Sequence, residues 1–236
     1  MNSFFSASLV PYAPPSLDYL LGSDSLGRSY LLLLLKSTGL TILDVGAAAT
    51  LALLVATFVA IFGSIFRGTI GRFVFGLAST FSFSTPLIAV LLLLYSVLGD
   101  SPAVFPLAVG GLLWGSAALT MQTAISQEWR SSYIKAARAL GMTSFCLVFK
   151  HLLPNLVSPM RSAWIANWPT ILSTSILAAY LGANSNSSPR LGSLIKTGYD
   201  VFPACWWLWL PPTIVTSFAF IGVYLCLQRF LTGGSK

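Results

Sequence analysis

Few residues in this chain have side chains capable of acid–base, nucleophilic or metal chemistry. Its 236 residues hold one histidine, His151, and three cysteines, Cys146, Cys205 and Cys226. The six acids are Asp18, Asp24, Asp44, Asp100, Glu128 and Asp200, and they are dispersed along the chain. General acid–base work or a metal centre needs several such groups converging on one point. No second ligand type gathers near His151, so neither a catalytic residue nor a metal ligand is expected. The cysteines lack a close pair, which excludes a disulfide framework and leaves them as small hydrophobes.

The elements that would position any site are set by composition. Hydrophobic residues make up 56% of the chain and charged residues only 8%, against about a quarter charged in a soluble domain. Too few charges exist to solvate a globular surface, which disfavours a soluble enzyme, a disordered region and a nucleic-acid-binding domain. The fold class expected is an all-α integral membrane protein with five spans. Charge-free windows place these at Val45–Phe66, Phe73–Gly99, Ser101–Gln127, Ser162–Pro189 and Val201–Gln228. Each reaches the roughly 20 residues that a helix needs to cross the hydrocarbon. Backbone groups in lipid must be paired internally, and alternating barrel-type segments are absent, so the spans are helices. Residues 1–36 read as an extracytoplasmic or interfacial segment without a signal peptide, in which Ser25–Lys36 is an interfacial helix leading into the first span. Residues 37–231 form the transmembrane domain, and 232–236 a short cytoplasmic tail.

Nine of the 13 basic residues fall on one side of these spans: Arg67, Arg72, Arg130, Lys135, Arg138, Lys150, Arg161, Arg229 and Lys236. Basic residues accumulate in cytoplasmic loops, so the N-terminus is expected outside and the C-terminus in the cytoplasm. The surplus charge then belongs to topology, and no nucleic-acid partner is expected.

Within the spans, no charge lies near a centre, which argues against a carrier powered by ions. Polar residues cluster in two places. Span two carries Ser79-Thr80-Phe81-Ser82-Phe83-Ser84-Thr85-Pro86, and span four carries Asn167, Pro169, Thr170, Ser173, Thr174 and Ser175. Small hydroxyl residues beside proline are favoured as packing contacts, as are Gly110, Gly111, Gly115 and Ser116 of span three. The candidates for a substrate pathway are Ser82, Thr85, Asn167 and Ser173. Trp206, Trp207 and Trp209 read as an anchor at the outer headgroups.

The long loop at 128–161 is the most informative segment. Ser131 or Ser132 can cap a helix running through Tyr133–Leu140 and ending at Gly141. At 100° per residue, Tyr133, Ala136, Ala137 and Leu140 share one flat face, with Lys135, Arg138 and Ala139 on the other. Thr143 or Ser144 can cap a second helix, Phe145–Leu153, limited by Pro154. Physics alone leaves two readings open, a docking element for a soluble partner and an amphipathic surface hairpin.

The run Tyr133-Ile134-Lys135-Ala136-Ala137-Arg138-Ala139-Leu140-Gly141, followed by Lys150-His151-Leu152-Leu153-Pro154-Asn155, resembles the EAA coupling loop of ABC importer permeases. It is especially similar to the dipeptide, oligopeptide and nickel permease family, where "AARALG" and "HxLPN" occur at this spacing. Leu21-Gly22-Ser23-Asp24-Ser25-Leu26-Gly27-Arg28 resembles the "LGTDxxGRD" segment of that family's C-type subunit. Tyr180-Leu181-Gly182 and Ser188-Pro189-Arg190-Leu191-Gly192 form a third match in the outer loop. Together these motifs extend over about Leu21 to Leu231. Lys135 stands where the family has its glutamate, Ser29 replaces the last aspartate of "GRD", and Leu191 replaces a tryptophan. The family carries a cytoplasmic stretch and one further span ahead of this region, so five spans are expected here where six are typical.

The resemblance implies a type I importer fold and a permease subunit in a bacterial or archaeal cytoplasmic membrane. Its implied partners are two ABC ATPase subunits, a second homologous permease and an extracytoplasmic substrate-binding protein. It implies uptake of peptides, nickel or metal chelates, with peptide resistance, polyamine export, an ATP-independent channel and a structural subunit as the alternatives. No G-x-x-x-x-G-K-[ST] occurs in the chain, so ATP and Mg belong to the partner subunits and this chain holds no cofactor. The residues expected to dock the ATPase are Ala136, Ala137, Arg138, Leu140, Gly141 and Pro154.

Overall fold

The computed structural model describes residues 11–17, 19–65, 69–84, 87–99, 101, 103–183 and 188–233. Helices dominate, and the described residues contain one isolated β-bridge, between Ser23 and Ser29. The chain opens with α1 (Tyr30–Ile65), α2 (Thr69–Ser84), α3 (Leu87–Leu98), α4 (Val104–Leu112) and α5 (Trp114–Arg130). The loop helices follow: α6 (Ser132–Ala139), α7 (Ser144–Leu147), a π turn at Val148–Leu152 and α8 (Leu153–Asn155). The chain returns through α9 (Val157–Tyr180), α10 (Leu191–Asp200) and α11 (Trp206–Gly233).

Among the described residues two helices are individually long and apolar enough to cross a membrane, Tyr30–Ser64 and Trp206–Cys226. Taken together as one span, α4 and α5, bent by 43° at Leu113, make a third candidate. The charge-free windows therefore mark apolar regions but not helix ends. The expected interfacial helix at Ser25–Lys36 is absent: residues 22–29 form a tight loop, and α1 runs unbroken from Tyr30. The second window is two helices, α2 and α3, and the fourth ends at Tyr180, with α10 as a separate helix. Nothing in the apolar composition of α1 distinguishes Leu31–Leu35 from the span itself, so helix propensity carries through Lys36.

Small residues bring α1 close to its neighbours. Ala48, Ala52, Ala56 and Ala60 are fully buried, and their four-residue spacing makes a low ridge along one face. Across it lies α4, so close that a Cβ at Gly110 would stand 2.9 Å from the Ala48 carbonyl oxygen. In lipid no hydrophobic effect draws helices together, and such backbone approach supplies the packing energy instead. Gly111, by contrast, faces open space and is not a packing contact.

A charge is buried within α1 one residue ahead of the first charge-free window. Asp44, within α1, is buried, and its Oδ2 accepts a hydrogen bond from Arg190 Nε at 2.6 Å. Arg190 is itself buried and is the N-cap residue of α10, its main-chain N–H donating to Ser193 Oγ at 2.9 Å. The next main-chain N–H, of Leu191, donates to Thr41 Oγ1 at 3.2 Å. The Ser188–Gly192 motif thus ties the α10 start to α1. Gly192 closes the other side, since a Cβ there would come within 2.0 Å of the Ile176 carbonyl oxygen.

The second motif, Leu21–Arg28, is a turn held by its own aspartate. Asp24 Oδ1 accepts from the main-chain N–H groups of Leu26 and Arg28, and Oδ2 from Arg28 Nε at 2.8 Å. Gly22 has φ +77°, and any Cβ there would meet the Trp207 ring at 2.7 Å. Trp207 is therefore half-buried against this turn, and only Trp206 and Trp209 of the expected tryptophan anchor are exposed.

Candidate functional site

The 128–161 loop folds as a small handle packed against the bundle. After α5, Ser131 adopts an extended conformation, and α6 sets off in a new direction. Ser131 occupies the N-cap position, but its Oγ donates back to the Glu128 carbonyl at 2.6 Å rather than capping α6. Helix α6 ends as expected at Gly141, whose φ of +84° favours glycine. The Gly141 N–H donates to the Arg138 carbonyl and the Met142 N–H to the Ala137 carbonyl, the paired bonds of a Schellman cap. At the second helix the Cys146 N–H donates to Thr143 Oγ1 at 3.4 Å. This stretch does not stop at Pro154. A π turn precedes it and the helical path continues into α9, the wide turn absorbing the donor and the space that proline removes.

One residue fixes α6 to the body. Ile134 is 1% exposed and joins a cluster with Ile125, Leu147, Val148, Leu152 and Leu156 that continues to Ala56, Ala60 and Ala163 of the long helices. Ala137 packs half-buried against the same cluster. This corrects the expected flat face: Ala137 turns inward with Ile134. Ala136, Leu140 and Gly141 stay exposed, Leu140 at 86%. Arg138 lays its guanidinium over the Trp129 ring, 4.8 Å from the centroid, an attraction of about 0.5–1 kcal/mol at an exposed site. Pro154 is exposed at the first turn of α8. Tyr133 ties the two halves of the handle: its hydroxyl donates to Glu128 Oε2 and accepts from Asn155 Nδ2 at 2.9 Å. Partial burial, then the Glu128 carboxylate, raises its pKa above the ordinary phenol value.

The pathway candidates separate. Ser173 lies exposed on α9, its Oγ donating to the Thr170 carbonyl. Ser82 is half-buried in α2, and Thr85 lies outside the described residues. Asn167 is buried, and its Oδ1 accepts from Ser116 Oγ at 3.1 Å, pinning α5 to α9; its Nδ2 finds no partner. Thr170, in the polar cluster of α9, is exposed, and sequence reasoning passed over two further exposed hydroxyls on α5, Thr120 and Thr123. Their signal was available as a three- to four-residue spacing of polar residues from Ser116 to Gln127. It contrasts with α11, where Trp206, Leu210, Ile214, Phe218, Ile221 and Leu225 present an apolar exterior.

Among the described residues no group of three His, Cys, Asp or Glu could hold a metal ion. The arrangement is a set of apolar helices with a packed appendage that exposes a leucine.

Residues 50–232 match the family of binding-protein-dependent transport system inner membrane components. The oligopeptide transport system permease protein OppC of Bacillus subtilis is 28% identical over 171 residues, which is 72% of this chain and 55% of that protein. The oligopeptide transport system permease protein AmiD of Streptococcus pneumoniae is 25% identical over 227 residues, 95% of this chain and 70% of that protein. The chain thus spans little more than half of OppC. Among solved structures, an inward-facing form of the MetNI methionine ABC transporter aligns with TM-score 0.67 at 19% identity, over 87% of this chain and 98% of that one. An amino acid ABC transporter crystallised with histidines aligns with TM-score 0.62 at 19% identity, over 86% of this chain and 92% of that one. These two show a shared fold. With the motifs, the handle and a family match over most of its length in agreement, the chain belongs to the binding-protein-dependent transport system inner membrane component family.

Proposed function

We propose that this chain is a membrane subunit of an ATP-driven oligopeptide importer, crossing the membrane five times with its N-terminus outside and its C-terminus in the cytoplasm. Two ATPase subunits, carrying ATP and Mg, dock on the 128–161 handle. A second permease completes the pathway, and an extracytoplasmic binding protein delivers the substrate. Peptide is preferred over nickel or a metal chelate because the relatives OppC and AmiD are both oligopeptide permeases by name.

The observation that carries the reading is Leu140. A leucine 86% exposed at the tip of a helix, beside Ala136 and the exposed cap glycine Gly141, offers a small apolar knob with room for another backbone. The same helix is clamped to the spans through Ile134. Closure of the ATPase pair would then move α6 as part of the body and rock the spans between two packed states. Each ligand contributes only through its differential affinity for those states. Thr120, Thr123, Thr170 and Ser173 offer hydroxyls to a polar cargo without the cost of an intramembrane charge.

The test is a cysteine placed at Ala136 after Cys146, Cys205 and Cys226 are replaced. In the assembled transporter it should crosslink to an ATPase subunit, and ATP turnover should rise when loaded binding protein is added. Capture of no ATPase, or accessibility of Ala136 from outside the cell, would overturn the docking role. Stimulation by metal chelates alone would replace peptide as the cargo.

A further inference from the structure

A groove of about 810 Å3 opens between α1, α9 and α11. Sites of roughly 300–1,000 Å3 suffice to bury most of a small-molecule-sized ligand. Its walls are almost wholly apolar and include Leu53, Ile165, Leu172 and Val223, with Trp164 and Trp168 as an edge-to-face pair 5.2 Å apart. The Trp164 indole N–H is already donated to Thr50 Oγ1 at 3.2 Å. A peptide or an ion would leave its polar groups unpaired there.

The mouth differs from the walls. Arg161, in the second turn of α9, borders the groove, is exposed, and has no carboxylate partner among the described residues. Gly222 and Cys226 extend the groove into a second opening of about 420 Å3 bounded by Gln228 and Arg229. The cavity is thus apolar along the spans and cationic at the end that leads to the 128–161 handle. Basic pockets between transmembrane helices on that side of a membrane suit anionic headgroups.

We propose that this groove is a binding site for one anionic phospholipid, with its acyl chain against Trp164 and Trp168 and its phosphate at Arg161. The site rests on the proposed orientation, which puts Arg161 at the cytoplasmic side, and is independent of what is transported or which ATPase docks. An acyl chain satisfies walls that offer no hydrogen bonds, and the phosphate supplies the anion that Arg161 lacks.

The experiment is tryptophan quenching in bilayers. The full chain, with the subunits that purify with it, is reconstituted in phosphatidylcholine. Dibrominated phosphatidylglycerol or dibrominated phosphatidylcholine is then added in parallel series. The glycerol lipid should bind about fivefold more tightly, equivalent to ~1 kcal/mol for one arginine beside an anionic headgroup. Arg161→Gln should bring the two curves together and Arg161→Lys should keep them apart. Trp164→Phe with Trp168→Phe should remove the excess quenching, and Gly222→Leu, filling open space, should weaken it. Identical curves for the two lipids in the native chain would overturn the proposal, as would a preference that survives Arg161→Gln. Absence of quenching by either lipid at Trp164 and Trp168 would assign the groove to a protein helix instead.

Discussion

Replacing Asp44 by asparagine keeps the shape of the side chain and removes one charge from a buried pair. Its partner, Arg190, has only 4% of its side chain exposed, against 11% for Asp44, and the two meet at 2.6 Å. Breaking a buried pair by neutralising one member costs about 3–5 kcal/mol, because the remaining charge stays buried and uncompensated. Arg190 keeps a bond to the Ser188 carbonyl at 3.1 Å, which does not neutralise it. For a chain of this size each kcal/mol moves the midpoint of thermal unfolding by about 2–4 °C, so Asp44→Asn should lower it by about 6–20 °C. The double variant Asp44→Asn with Arg190→Met should recover most of that loss. Replacing both charges by groups of similar volume is often neutral, and the cap on α10 comes from the Arg190 main chain, which any side chain retains. The assay is thermal unfolding of the purified subunit in detergent, read as loss of the monodisperse fraction. A single variant within 2 °C of the native chain, or a double variant as unstable as the singles summed, would refute the argument that the pair is buried and coupled.

Leu140→Ser should alter stability by no more than about 0.5 kcal/mol, as for other exposed sites, while sharply reducing ATP-coupled transport. Ile134→Ala should cost about 2–5 kcal/mol and release α6, detected by faster amide exchange from 132 to 139. Gly192→Ala should destabilise by at least about 1–3 kcal/mol through overpacking against the Ile176 carbonyl. Gly111→Ala, which meets nothing, should be neutral or stabilise by about 0.5–1 kcal/mol; thermal midpoints compare the two. In a cysteine-free background, Thr123→Cys and Ser173→Cys should react with charged thiol reagents in the assembled transporter, whereas Asn167→Cys should not.

Composition alone identified a helical membrane protein, because a chain with 8% charged residues has few ways to face water. Helix ends were less legible. Two charges fall inside α1, and of these Lys36 is exposed while Asp44 is paired with a residue 146 positions away. A long-range ion pair leaves no local signature, so Asp44 was passed over in the sequence. The end of α6 at Gly141 was readable because capping is local. The inward turn of Ala137 was not, since helical periodicity sorts residues into faces but not which face meets the protein. Ile134 decides that, by joining a buried cluster that extends to Ala56. The bond that Asn167 makes is illegible for the same reason, because its partner, Ser116, lies on another helix.

Helix α1 has 36 residues and so is about 54 Å long, nearly twice the roughly 30 Å of hydrocarbon it has to cross. The stretch after Asp44, Val45–Ile65, is about 31 Å long at the same rise and matches that thickness by itself. The earlier part, from Tyr30 to the Asp44–Arg190 pair, adds about 21 Å of continuous helix to that length. The Asp24 turn and α10 are braced against its side. A force applied to that extension would travel to the alanine ridge along a single unbroken helix.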